Sequence, residues 1–426
     1  MRRTATTLVG KGRAGAARAG TRRAGAALVV AAGLVAAGLG ACSDEEPARP
    51  AGSTAVAKAV GPGEGALSIV ALAGAIEAGT ADPRVDWVAP FQKQTGCKVA
   101  WKIAKDGGEL IELMRQGGRR YDGVAAPPEV AGRLIAERQV APVNTALVDG
   151  YTKLEPRLRD LLKREGTVYG VPYVWGTNVL MYDTRTVPPP GGRSALFDPD
   201  QARRWSGRIV LRDDPMTIAE AALYLKAENR KLKIRDPFAL TPRQLAAAKE
   251  VLASQRPHVK AYWREGADVV SAFAGGTASL GMATSHPVDV LTRAGRPVQG
   301  ALPSEGVTGW TDAWLIGARA EHPNCMYQWL RWTASPDVQR QVAAWNGVAP
   351  ANPQACTGDR LSAGFCAAHR VGDRGHIGRV VFAHAPVKEC GKDPEKRECT
   401  DYAEWTKAWI EATQMPPPTA RPTRTP

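Results

Sequence analysis

Along the body of the chain, hydrophobic and polar positions switch between a period of two and a period near 3.6. Apolar runs at 67–72 and 98–103 predict strands, and between them Trp87, Val88 and Phe91 recur at helical spacing. Leu110, Ile111 and Met114 continue the helical pattern, and a short strand is expected at 123–125. This β-α-β-α-β rhythm predicts an α/β fold with a mostly parallel sheet covered by helices. A second rhythm begins after Gly170, with strands at 180–182 and 207–211 and helices at about 217–228, 242–254 and 266–274. Strands near 278–282 and 313–316 and helices at about 323–333 and 336–345 follow. The stretch from Leu67 to about Gln414 is roughly 350 residues, more than one ordinary core, so two lobes are expected. In open α/β sheets ligands sit beyond the carboxyl ends of strands. Residues just after strands are therefore the candidates for a site.

The pattern ahead of the body is different. Arg2, Arg3, Lys11, Arg13, Arg18, Arg22 and Arg23 precede an apolar run over 26–40, which marks a secretory signal peptide too short for a stable span. The run ends in Leu39, Gly40, Ala41 and Cys42, and small residues before a cysteine resemble the lipobox of bacterial lipoproteins. That resemblance implies cleavage and acylation at Cys42 and a chain held by lipid on the extracytoplasmic face of the cell membrane. Residues 43–66, rich in Ala, Pro, Gly and Ser without an apolar period, are expected to form a flexible tether.

Charge changes the picture only modestly. The formal net charge is +14, but seven basic residues and no acid precede Cys42, leaving +7 on the remainder. A net charge of that size suits solubility or an anionic membrane surface. No zinc spacing, aromatic RNA-binding motif or basic stripe accompanies it, so no nucleic-acid partner is expected. Besides Cys42 there are Cys97, Cys325, Cys356, Cys366, Cys390 and Cys399, an even count that implies disulfides in an exported chain. Short loops favour Cys356 with Cys366 and Cys390 with Cys399, leaving Cys97 for Cys325. Zinc is the rival use, but no pair has the close spacing of a zinc site. Neither a metal nor a cofactor is expected.

Residues 169–182, with Tyr169-Gly170-Val171-Pro172-Tyr173-Val174-Trp175-Gly176-Thr177-Asn178 and Leu180-Met181-Tyr182, resemble the first inter-lobe crossing of the spermidine/putrescine solute-binding proteins of ABC transporters. Four further stretches resemble that family in the same order: 86–96, 207–215, 305–312, and 335–338 leading to 346–352. The resemblance implies a two-lobed type II periplasmic-binding-protein fold with a central cleft that closes by hinge motion. It also implies an amine ligand, delivery to ABC permease subunits, a monomer and no catalysis. On this basis the chain divides into a signal peptide (1–41), lipidated cysteine and tether (42–66), first lobe (67–174), second lobe (175–309), a return to the first lobe (310–350), a disulfide-bearing segment across the lobes (351–415) and a disordered tail (416–426).

Holding a polyamine needs carboxylates for the ammonium groups and aromatic faces for the methylenes and flanking charges. Trp310 and Asp312 supply both, on one face of an extended segment, and match the family's tryptophan and aspartate there. Asp214 matches an ammonium-binding aspartate, although Asp214-Pro215 is equally a helix start with aspartate as cap. Tyr173, Trp175 and Asn178, at the expected crossing, complete the candidate ligand-binding set. Both aromatics can instead pack the hinge. Thr217 stands where the family has a glutamate, and the segment 126–129 replaces a cleft tyrosine, which points to putrescine or another short amine. Glu129 could restore a negative charge, or simply be an exposed helix residue. An anionic or metal-bearing ligand in the same fold is the first alternative, with Tyr262, Tyr327 and His286 as scattered candidates. A hydrolase is the second, resting on the adjacent Ser285 and His286 without a nucleophile elbow. A structural lipoprotein is the third, and would lack a cleft.

Overall fold

Alternating apolar positions become strands where two helical layers can cover them. The computed structural model describes residues 56–116, 120–358, 361, 364–390 and 398–414. The expected signal peptide, Cys42, the expected tether up to residue 55 and the tail from 416 lie outside the described residues.

One half of the sheet runs in the order Lys98–Ile103, Ala66–Ala71, Gly123–Ala126, Val307–Gly317, Gly170–Asp183. The first three strands are parallel, as the β-α-β rhythm requires, with Leu67 opposite Val99 and Ile69 opposite Gly123. The other half adds Leu280–Thr284, Ile209–Arg212 and Val259–Trp263 beyond Gly170–Asp183. Gly170–Asp183 belongs to both halves: its first residues pair with the return strand Val307–Gly317, its last with Leu280–Thr284. It is the first crossing between the lobes, and Val307–Gly317 is the second.

Each lobe has its own apolar packing. In the first, Leu67, Trp87, Phe91, Trp314 and Trp329 are almost fully enclosed. Trp314 and Trp329 meet edge to face at 5.4 Å between centroids, a geometry that contributes about 0.5–1.5 kcal/mol beyond area burial. In the second, Leu180, Ile209, Ile218 and Leu252 pack with Trp405 and Trp409. Those two tryptophans come from the helix Tyr402–Thr413, started by the reciprocal cap of Asp401 and Glu404.

The last part of the chain touches both lobes. Val380–Phe382 adds a parallel strand to Val307–Gly309 of the return strand. Beyond it, Ala385 lies against Gly132 of the first lobe, while His384 meets Asp236 of the second at 2.9 Å. The disulfides are Cys97–Cys325, Cys356–Cys366 and Cys390–Cys399, the two short loops that were expected and the pair they left over.

The end of the expected tether is not free. Ala57 accepts a hydrogen bond from Asn144 at 2.9 Å, and Gly61 donates to Asn324 at 2.7 Å. Glu64 accepts from the backbone N–H of Asn324 and Cys325, each at 2.9 Å, at the start of the helix Pro323–Ala334. A carboxylate there satisfies donors that the helix leaves unpaired, so the segment from residue 56 onward is anchored to the first lobe.

Candidate functional site

Two strand registers and two helix starts bring a cluster of charged side chains together where the lobes meet. In the return strand Trp310 lies opposite Gly176 of the first crossing, and Asp312 opposite Val174. A Cβ on Gly176 would stand 2.7 Å from Cζ2 of Trp310, so the glycine is what lets the indole lie across the neighbouring strand. The register slips between Asp312 and Ala313, and such irregularities re-aim side chains. Trp310 and Asp312 are both half-buried. Nε1 of Trp310 finds no hydrogen-bond partner among the described residues.

Glu129 joins them from the first turn of the helix Pro128–Ala136, whose apolar face packs into the first lobe through Val130, Ala131 and Leu134. Glu129 is a helix residue, as one expectation had it, but it is half-buried rather than exposed. Burial, then the charge of Asp214, pushes the Glu129 carboxyl up to about 8. Burial likewise pushes Asp312 up to about 6, against the pull of Arg212. Among the described residues neither carboxylate has a cationic partner within ion-pair distance.

From the second lobe, the strand Ile209–Arg212 ends facing these two acids. Asp214 does what a capping residue does, accepting from Met216 N at 2.8 Å, and it also lies 3.3 Å from Nη2 of Arg212. Burial opposes the Arg212 charge, but Asp214, Glu129 and Asp312 hold its guanidinium above the ordinary value. Arg212 stands 5.9 Å from the ring centroid of Trp263. Tyr402, at the start of the C-terminal helix, completes the group: burial, then Asp214 and Glu129, raise its phenol well above the ordinary range. The neighbouring Asp213 faces elsewhere, pairing with Arg264 at 2.9 Å and accepting from the Trp409 indole at 3.1 Å.

Of the six candidate ligand-binding residues, the structure brings Asp312 and Asp214 together around Arg212, while Trp310, two residues before Asp312 on the return strand, lies across Gly176 and packs against the first-lobe core. Tyr173 and Trp175 are packed inside the first lobe, 1% and 2% exposed. Their polar atoms are taken by backbone carbonyls, Tyr173 by Ala75 at 3.3 Å and Trp175 by Pro350 at 3.1 Å. Asn178 belongs to a buried network: it donates to Thr308 at 2.9 Å beside Glu220, which Arg193 meets at 2.6 Å. That network fastens the two crossing strands to the second lobe. Among the described residues no cluster of three or more acidic, histidine or cysteine side chains could hold a metal ion.

Residues 86–364 match the family model of the bacterial extracellular solute-binding proteins. The chain belongs to that family.

Among individual relatives, this solute-binding protein is 24% identical over 256 residues to the spermidine/putrescine-binding periplasmic protein of Escherichia coli, covering 59% of this chain and 70% of that one. Its fold is that of the substrate-binding protein of a spermidine/putrescine ABC transporter from Streptococcus pneumoniae, with a TM-score of 0.61, 16% identity and coverage of 81% and 98%. The Tp0655 lipoprotein of Treponema pallidum superposes with a TM-score of 0.62 at 12% identity, covering 82% of this chain and all of that one. These neighbours are two-lobed binding proteins, and the likeness is one of fold. Arg212 lies within the family-like stretch 207–215, directly after the expected strand, but was not singled out there, and Tyr402 lies in no such stretch. The signal for Tyr402 was its place after a capping aspartate, which says where a helix starts and nothing about what it faces.

Proposed function

We propose that the protein captures a small organic cation, a polyamine such as putrescine or spermidine, between its lobes and passes it to the permease of an ABC importer. The observation that carries this reading is the pair Asp312 and Glu129, two half-buried carboxyls with no cationic partner among the described residues, with Trp310 two positions before Asp312 on the same strand. An acid held above its ordinary range by burial is relieved when a cation arrives. An aromatic face flanking it adds a cation–π contact of up to ~2 kcal/mol once water is excluded. The names carried by the relatives, spermidine and putrescine binders, support the same class. The reading includes an acylated Cys42 holding a monomer at the outer face of the cell membrane, and it assigns the protein no catalysis.

The groove does not favour an anion: three carboxylates surround one guanidinium. Calorimetry with putrescine, spermidine and an anionic control tests the reading. Asp312→Asn should weaken the amine by about 10- to 100-fold, the effect of one charge-assisted hydrogen bond, with little change in Tm. Unchanged amine affinity would remove Asp312 from the site, and preference for the anionic control would overturn the proposal.

A further inference from the structure

The three acids of the groove are not equivalent, because one already has its cation. One oxygen of Asp214 caps the turn at Met216, and the other is paired with Arg212 at 3.3 Å. Asp312 and Glu129, both presented by the first lobe, have no such partner. Arg212 is not withdrawn from the groove either: its side chain keeps 42% of its surface open, and its charge is felt by Glu129 and Asp312 as well as by Asp214. A guanidinium has only donors and cannot lose its proton, so the second-lobe end of the groove meets an ammonium with a like charge, and its one carboxylate, Asp214, is already shared.

We propose that Arg212 is a specificity-determining residue: its guanidinium fills the position of a third ammonium, so the groove accepts a short diamine and rejects a longer polyamine. The inference rests on the amine reading above. Asp312 and Glu129 supply one carboxylate for each end of a diamine such as putrescine. The additional nitrogen of spermidine would have to displace the guanidinium from Asp214 or sit against it unpaired. Discrimination comes from that repulsion rather than from a better contact with the shorter ligand.

The test is calorimetry of the mature chain with putrescine, spermidine and γ-aminobutyrate, on the wild type, Arg212→Gln and Arg212→Lys, with Tm as a check of folding. The wild type should bind putrescine about tenfold or more tightly than spermidine, the scale of one charge-assisted hydrogen bond. Arg212→Gln frees Asp214 and should tighten spermidine by about the same factor, closing the gap. Arg212→Lys restores a cation and should return the wild-type order. An unchanged spermidine-to-putrescine ratio in a folded Arg212→Gln that still binds putrescine overturns the inference alone. So does tight binding of γ-aminobutyrate that disappears in Arg212→Gln, because Arg212 would then be the anchor of a ligand carboxylate. A wild type that binds neither amine overturns the amine reading itself, and this inference with it.

Discussion

Glu129 shows how a single carboxyl can favour ligand binding at the expense of the empty protein. Its carboxyl ionises near 4.5 in an ordinary setting and about 8 in the folded chain, first through burial and then through Asp214. Between those values the unfolded chain gives up this proton first, so the ligand-free fold loses stability as pH rises. Glu129→Gln should therefore raise the Tm of the empty protein at pH 8 and leave it unchanged at pH 4, where both states carry the proton. The same change should weaken amine binding, since the variant cannot ionise to meet an ammonium. In the wild type at pH 7 the carboxyl is mostly protonated, and binding an amine should release up to about one proton. Titrations in two buffers of different ionisation enthalpy measure that number directly. Below about pH 6 Asp312 also takes up a proton, so amine affinity should fall steadily towards acid. Zero proton release and a flat profile from pH 5 to 8 would mean that neither acid meets the ligand.

The two crossing strands convert those residues into a site, and their register can be tested without touching a charge. Gly176→Ala places a methyl 2.7 Å from the Trp310 ring, on backbone where alanine is otherwise acceptable. The indole must move, and amine affinity should drop by about 2- to 30-fold, the range of a lost cation–π contact. Quenching of Trp310 emission by ligand should diminish with it, and an unaltered affinity would show that the ring is not part of the groove. This element was legible in the chain because Trp310 and Asp312 share a face of one strand, a relation fixed by a period of two. The main strands and helices of both lobes were legible for the same reason, since their apolar spacing reports burial. Arg212 and Tyr402 were not legible. Each is an ordinary polar residue beside a strand end or a helix start, and only the fold brings residues 129, 212, 312 and 402 within reach of one another. Tyr173 and Trp175 illustrate the converse: aromatics at a crossing face either the cleft or the core, and sequence spacing alone does not separate the two.

At the scale of the whole molecule, the resemblance implies a cleft that closes by hinge motion, and one contact between the lobes lets that expectation be tested. His286, at the start of the helix Ser285–Arg293 of the second lobe, reaches the first lobe at Gly347, which ends the helix Pro336–Asn346 with φ +62°. A Cβ at Gly347 would stand 1.6 Å from Nδ1 of His286, so any larger residue there must push the lobes apart or displace the imidazole. Burial holds His286 below its ordinary range, so at neutral pH the ring meets the glycine uncharged. Gly347→Ala should therefore weaken every ligand alike, by about tenfold for a bias of ~1.4 kcal/mol against closure. Small-angle scattering should show a radius of gyration that no longer shrinks on adding amine. Alanine in the left-handed region also costs about 1–2 kcal/mol of backbone strain, which lowers Tm whatever the lobes do. The double variant Gly347→Ala with His286→Ala separates the two effects: removing the imidazole clears the obstruction, so affinity and compaction return while Tm stays low. If affinity stays low as well, the loss belongs to the strained turn, and the contact between His286 and Gly347 does not govern closure.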